Sequence, residues 1–278
     1  MTTLLLPRRR RLPFRLTPSA ALGVAIILFY AVLAVFAPQL APYGEAEIVG
    51  SQFELWSEAF PLGTDNLGRD VLSRLIYGAR NTIGITLTAT FLAFVIGTGF
   101  GLWAAGKGGA VDRFLSTAVN VFMSIPLLIF ALLLLALFGT SLVSLVVIVA
   151  LLEATRVYRV VRAVAMNVMV SDYVEVARVR GEGLLWILWS EVLPNIRISL
   201  FAELGLRFCF IFLLISGLSF LGLGIQPPAA DWGSMVKEYS ALIAYGDITP
   251  LLPAGAIATL SISVNLVVDW LVRSRTQR

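Results

Sequence analysis

Six apolar runs, near residues 19–38, 81–105, 115–138, 141–161, 198–222 and 252–272, constrain this chain more than any other feature. Each approaches the roughly 20 helical residues needed to cross a hydrocarbon layer about 30 Å thick. Water is absent from such a layer, so only helices and closed barrels satisfy their own backbone there. Barrel strands run about 10 residues with alternating polarity, and these runs do not alternate. Composition points the same way: 58% of the 278 residues are hydrophobic and 14% charged, where soluble chains average about 25% charged. The reading is an all-α membrane protein with six transmembrane helices.

Charge sets the expected orientation. With the N-terminus in the cytoplasm, Arg8, Arg9, Arg10, Arg11 and Arg15 lie inside, followed by Lys107 and Arg113. Arg156, Arg159, Arg162, Arg178, Arg180 and Arg197 then fall on the third inner stretch, and Arg273, Arg275 and Arg278 on the tail. Arg69, Arg74, Arg80 and Lys237 are left outside, and Arg207 within a span. The excess of inner Lys and Arg predicts cytoplasmic N- and C-termini. The organisation expected is a basic cytoplasmic N-terminus (1–18), a first helix (19–38), an extracytoplasmic loop with a lead-in helix (39–80) and a five-helix core (81–272). Within the core lie a cytoplasmic loop at 162–197 and an outer segment at 223–251; a cytoplasmic tail (273–278) follows. About 19 apolar residues after the arginines exceed the usual signal-peptide core of roughly 7–15, so the first helix is expected to stay uncleaved.

Most site chemistries lack their parts. Histidine is absent and Cys209 is the single cysteine, which removes disulfide frameworks, Cys/His zinc sites and histidine-based triads. A net charge of +4 is spread between apolar spans, not gathered into a nucleic-acid groove, and no nucleic acid is expected as a partner. Gly101 to Lys107 reads G-x-x-x-x-G-K, but Gly108 follows where a magnesium-holding Ser or Thr is required, and an apolar span precedes it in place of a strand. No metal or nucleotide site is expected in this chain. The overlapping Gly97-Thr98-Gly99-Phe100-Gly101 is read as a close helix contact.

The inner loop is too long for a simple connection and too apolar for a disordered one. It reads as two short helices with a bend. Asp172 is the expected cap of the first, with Glu175 three residues on as in a capping box. Gly181 and Gly183 supply permissive backbone where that helix stops, and Pro194 precedes the next span. Val174, Leu185, Trp186 and Trp189 present apolar side chains that mark either a protein partner or a membrane-lipid surface.

This loop resembles the EAA motif of binding-protein-dependent ABC importer permeases, through Glu175, Val176, Ala177, Gly181, Leu193 and Pro194; Val176 stands where the family has alanine. Gly63-Thr64-Asp65 with Gly68-Arg69-Asp70, and the stretch from Leu218 through Gln226-Pro227-Pro228 to Trp232-Gly233, resemble the outer segments of the C-type permease of dipeptide, oligopeptide and nickel importers. The resemblance implies a type I importer permease fold and a role as half of a translocation pathway for peptides, with nickel or another small solute as the alternative. It implies as partners a homologous B-type permease, an extracytoplasmic solute-binding protein and two cytosolic ATPases. ATP and magnesium are bound by the ATPases, with no cofactor in this chain. It further implies contact with the ATPases around Asp172, Tyr173, Glu175, Val176, Ala177, Arg178, Gly181, Leu193 and Pro194.

Outside, Gly63, Thr64, Asp65, Gly68, Arg69 and Asp70 combine turn glycines with carboxylates ahead of a helix. They read as a capped helix start and as a docking or gate surface for the binding protein. Residues 39–62 hold Glu45, Glu47, Glu54 and Glu58 and no base, a charge that would complement a basic rim. Gln226 and Pro227 are expected to stop the fifth helix, and Trp232 to sit in the interface belt, all three belonging to the same docking or outer-gate surface. Glu203 and Arg207, four apart at mid-span, are read as an internal charge pair packed against another helix or as part of the pathway. Asn120 and Ser124, beside the kink expected at Pro126, are further pathway candidates. An ion-driven secondary transporter and a membrane enzyme remain as rivals. The first predicts inverted repeats, and the second a clustered catalytic pair.

Overall fold

The computed structural model describes residues 17–276. Arg8, Arg9, Arg10, Arg11, Arg15 and Arg278 lie outside the described residues. Thr17 caps α1 (Pro18–Val35), its side chain accepting from the Ala20 amide with proline at the first helical position. The short α2 (Ala37–Leu40) follows. A loop then leads to α3 (Val71–Lys107), α4 (Gly109–Ser124), α5 (Leu127–Phe138) and α6 (Leu142–Met169). After α7 (Asp172–Val179), the short α8 (Leu184–Ile187) runs through a π-helical turn at Leu188–Val192 directly into α9 (Leu193–Phe220). An outer segment carries α10 (Trp232–Tyr239), and α11 (Leu251–Thr276) closes the described chain.

Three sequence expectations change here. The lead-in helix and second span are one 37-residue element, α3. At 1.5 Å per residue it is about 55 Å long, so its Arg74 and Arg80 end extends well beyond a 30 Å hydrocarbon layer. The third run, 115–138, is broken: α4 and α5 meet at 91° around Pro126, whose missing donor and clash with the preceding turn end the helix instead of kinking it mildly. The fifth span ends at Phe220, before Gln226-Pro227. Its stop is Gly222 at φ +87°, with the Leu223 amide reaching back to the Leu218 carbonyl.

By length and composition four described helices suit a membrane, or five when α4 and α5 are taken as one broken span. The helix α6 is not among them because Glu153, Arg156 and Arg159 interrupt it. It lies inside the bundle instead. Its tightest neighbour is α3, where Gly97 and Gly101 face Val157 and Val161: a Cβ added at Gly97 would lie 2.6 Å from Val157 Cβ and 2.7 Å from the Ala154 carbonyl oxygen. The small-residue spacing is therefore a close helix crossing, as read from the sequence. Leu145, Val149, Ile211, Ile215 and Leu218 fill the layer between α6 and α9.

Candidate functional site

At one end of the bundle, α7 is linked to α6 and α8 by short connections. Ser171, not Asp172, is its N-cap, and no side-chain cap bond forms there. The expected capping box is thus not made. Asp172 occupies the first helical position and Glu175 the same turn, where both carboxylates still favour the positive end of the helix. The C-terminal end is a full Schellman closure: the Gly181 amide donates to the Arg178 carbonyl at 2.9 Å and the Glu182 amide to the Ala177 carbonyl at 3.1 Å. Gly181 adopts φ +87°, with nothing within 4 Å of where a Cβ would lie, so backbone conformation alone demands glycine there.

Two faces of α7 differ sharply. Val174 and Ala177 are fully buried among Ala165, Met169, Ile187, Leu188 and Val192. Tyr173, Val176 and Val179 are exposed, as are Glu175 and Arg178. A cleft of about 570 Å³ lies on one side, walled by Lys107, Met166, Arg178 and Glu182. A second, of about 490 Å³, is walled by Ser171, Glu175, Arg178 and Val179. The two clefts share Met169, Val170 and Arg178 along one face of the helix, which stands as a ridge rooted by Val174 and Ala177. Beside it Leu185 and Trp189 are exposed, and the Arg180 guanidinium lies over the Trp186 ring at 5.9 Å. Leu193 and Pro194 do not divide loop from span. The π turn, in which the Leu193 amide reaches back to the Leu188 carbonyl, carries the chain past the proline within one continuous helix.

Deeper in the bundle, Arg207 Nε approaches Glu203 Oε1 at 2.7 Å within α9, and its Nη1 donates to Glu153 Oε2 on α6 at 2.9 Å. Glu153 is fully buried, and Arg156 reaches its other oxygen at 3.6 Å. The charge pair packed against another helix is thus present. Glu153 was missed because the span around it reads as apolar and its spacing to Arg207 is visible only in three dimensions. The Asp112–Arg162 pair, tying α4 to α6, was missed for the same reason. Asn120 and Ser124 are both exposed on α4, and the Ser124 hydroxyl donates to its own chain at the Val121 carbonyl.

The opposite end corrects the docking residues. Gly63, Thr64, Asp65, Gly68, Arg69 and Asp70 are buried, as is Trp232, so they present no surface to a partner. Asp65 accepts from the Leu67 and Arg69 amides and from Arg69 Nε, and Arg74 bridges Asp65 to Glu238 on α10. Asp70 caps α3 by accepting from the Ser73 amide at 2.8 Å. Trp232 packs edge-on against Tyr30 and Phe212 and donates to the Leu75 carbonyl at 2.9 Å, which keeps it from any interface belt. Neighbouring Asp231 accepts from Thr82 and from the Ser234 amide; burial pushes its carboxyl above the usual range, against the pull of those bonds. Gln226 and Pro227 are exposed.

Residues 97–278 match the family described as "Binding-protein-dependent transport system inner membrane component", and the chain belongs to that family. It is an inner-membrane permease component of an ABC importer. Among relatives, the dipeptide transport system permease DppC of Haemophilus influenzae is 28% identical over 93% of this chain and 90% of its own. The di/tripeptide permease DppC of Pseudomonas aeruginosa is 32% identical, over 90% and 84%. The peptide transport permease SapC of Escherichia coli O6:H1 is 35% identical, over 92% and 89%. In fold, a chain of the MetNI methionine ABC transporter, in an inward-facing form, aligns with a TM-score of 0.60 at 19% identity, covering 72% of this chain and 95% of that one. This places the chain in the type I importer permease fold.

Proposed function

We propose that this chain is one of two permease subunits of an ATP-driven importer of di- or oligopeptides. Its six membrane crossings leave both termini in the cytoplasm. The second permease is a homologous B-type subunit, two cytosolic ATPases bind ATP and magnesium, and an extracytoplasmic binding protein delivers substrate. The chain itself holds no catalytic or nucleotide site. The peptide assignment rests on the relatives, three of which are named as peptide permeases.

The observation that carries the coupling role is the ridge α7. Tyr173, Glu175, Val176 and Arg178 are presented outward, while Val174 and Ala177 tie the helix to the ends of α6 and α8. Apolar side chains beside charges, next to clefts on one face, suit a protein partner better than flat lipid. Asp172 and Gly181 set the two ends of that ridge, and Leu193 and Pro194 carry its displacement into α9. On the pathway side we place Asn120 and Ser124, with Glu203 and Arg207 lending it charge. Gln226 and Pro227 belong to the surface met by the binding protein, with the buried residues of 63–70 as its brace.

The test is Glu175→Lys in vesicles containing the full complex. Membrane insertion and subunit abundance should match wild type, while ATP-driven peptide uptake is lost. Normal uptake with normal ATP hydrolysis would contradict the coupling role.

A further inference from the structure

On one side α7 connects to α6, and on the other it connects through α8 and the π turn to α9. The helices α6 and α9 meet twice. Near α7, Val161, Ala165 and Met169 of α6 pack with Ile187, Leu188, Val192 and Ile196. Some 8 residues beyond Val161 along α6, roughly 12 Å at helical rise, they meet again at Glu153 and Arg207. Between the two levels the helices carry no other described ion pair with each other.

The second contact is chemically unlike its surroundings. Glu153 has no solvent exposure, and Val149 and Leu152 before it on α6, like Ile211 and Leu214 after Arg207 on α9, belong to an apolar core cluster. One Arg207 fork engages two carboxylates on two helices, Glu203 on its own and Glu153 across. An apolar contact slides along a helix with little change in energy. A buried, directional ion contact instead has one register, because any other leaves charges unpaired in a medium without water.

We infer that Glu153 is a positioning residue for transport: together with Arg207 it fixes α6 and α9 in register, so that α6, α7 and α9 move as one lever when the ATPases displace α7. This rests on the coupling role of α7 and goes beyond it by naming the element that keeps the displacement from being lost between the two helices. Without the brace, α7 still engages its partner and ATP is still hydrolysed, but the motion is dissipated as sliding of α6 past α9.

Two measurements on the reconstituted full complex test it. In Glu153→Gln, peptide uptake per ATP hydrolysed should fall about tenfold while ATP hydrolysis itself persists. A ratio within about twofold of wild type would overturn the proposal. In parallel, Glu175→Lys abolishing both activities keeps the α7 reading intact whatever Glu153 does; if Glu175→Lys leaves both normal, it is that reading which fails.

The second measurement leaves the ion cluster untouched, so it also serves if Glu153→Gln does not assemble. Spin labels at exposed Leu151 on α6 and Leu213 on α9, with Cys209→Ser, report the distance between the helices without nucleotide and with ATP trapped. An unchanged distance is expected of a rigid lever. A change of about 5 Å, the scale of a one-turn slip, would show the two helices moving apart and overturn it.

Discussion

At the scale of single residues, two kinds of constraint act in the α7 region, and they respond differently to substitution. Gly181 is required only for its left-handed backbone, since open space surrounds the missing Cβ. Replacing it with alanine should cost about 1 kcal/mol through φ alone, while asparagine, which tolerates that region, should cost less. Thermal unfolding of the purified complex with Gly181→Ala and Gly181→Asn checks the order, and uptake should fall in the same sequence. Equal behaviour of the two variants would mean that side-chain volume, not backbone conformation, matters there. Glu153 is constrained by charge. Its replacement by leucine leaves Arg207 with Glu203 alone among its ion partners, and losing one partner of a buried pair typically costs about 3–5 kcal/mol. Leu at 153 and 207 together with Glu203→Gln should recover part of that loss in a thermal melt of the complex, because no member of the cluster then keeps a charge without its partner.

Among the elements, the crossing of α3 and α6 makes the sharpest contrast. Gly97 has the neighbouring helix within a Cβ's reach, whereas Gly99, two residues on, faces open space. Gly97→Ala should therefore force the two helices apart and lower the thermal midpoint of the complex. Gly99→Ala should leave the midpoint unchanged or raise it, since alanine favours a helix interior over glycine by up to about 1 kcal/mol. A fall of similar size in both variants would argue against the crossing. This element was legible in the sequence because small residues four apart leave a periodic mark. So were the start of α3 at Asp70 and the stop of α7 at Gly181, where one side chain or one φ angle decides the outcome. Other elements were not legible, for physical reasons. A proline in an apolar run is compatible with a mild kink, a right-angle break or a π turn, and neighbouring contacts decide among them: Pro126 breaks its helix while Pro194 is carried through. Burial of the Gly63–Asp70 motif was hidden too, because charged residues usually mark surface, and only the pairing of Arg69 and Arg74 with Asp65 and Glu238 takes them inside.

For the whole molecule, the broken α4–α5 pair is only thinly enclosed by the rest of the chain. Phe130, Ala131 and Leu135 of α5 are buried against the bundle, but Leu128, Ile129, Leu133, Leu137 and Phe138 are exposed. No residue of α4 is buried, and the Asp112–Arg162 and Ser116–Tyr158 contacts hold it to α6 near its start. An apolar face of this kind is satisfied either by lipid or by a second permease, and the two differ in what they do to local stability. Contact with a protein restrains both helices together, whereas lipid leaves the bend at Pro126 free to open. Amide hydrogen exchange distinguishes them. In the isolated chain in detergent, residues 109–138 should exchange faster than α3 and α6, and they should slow by about tenfold or more when the second permease is present. Unchanged exchange on assembly would assign the face to lipid and move the subunit interface elsewhere on the bundle.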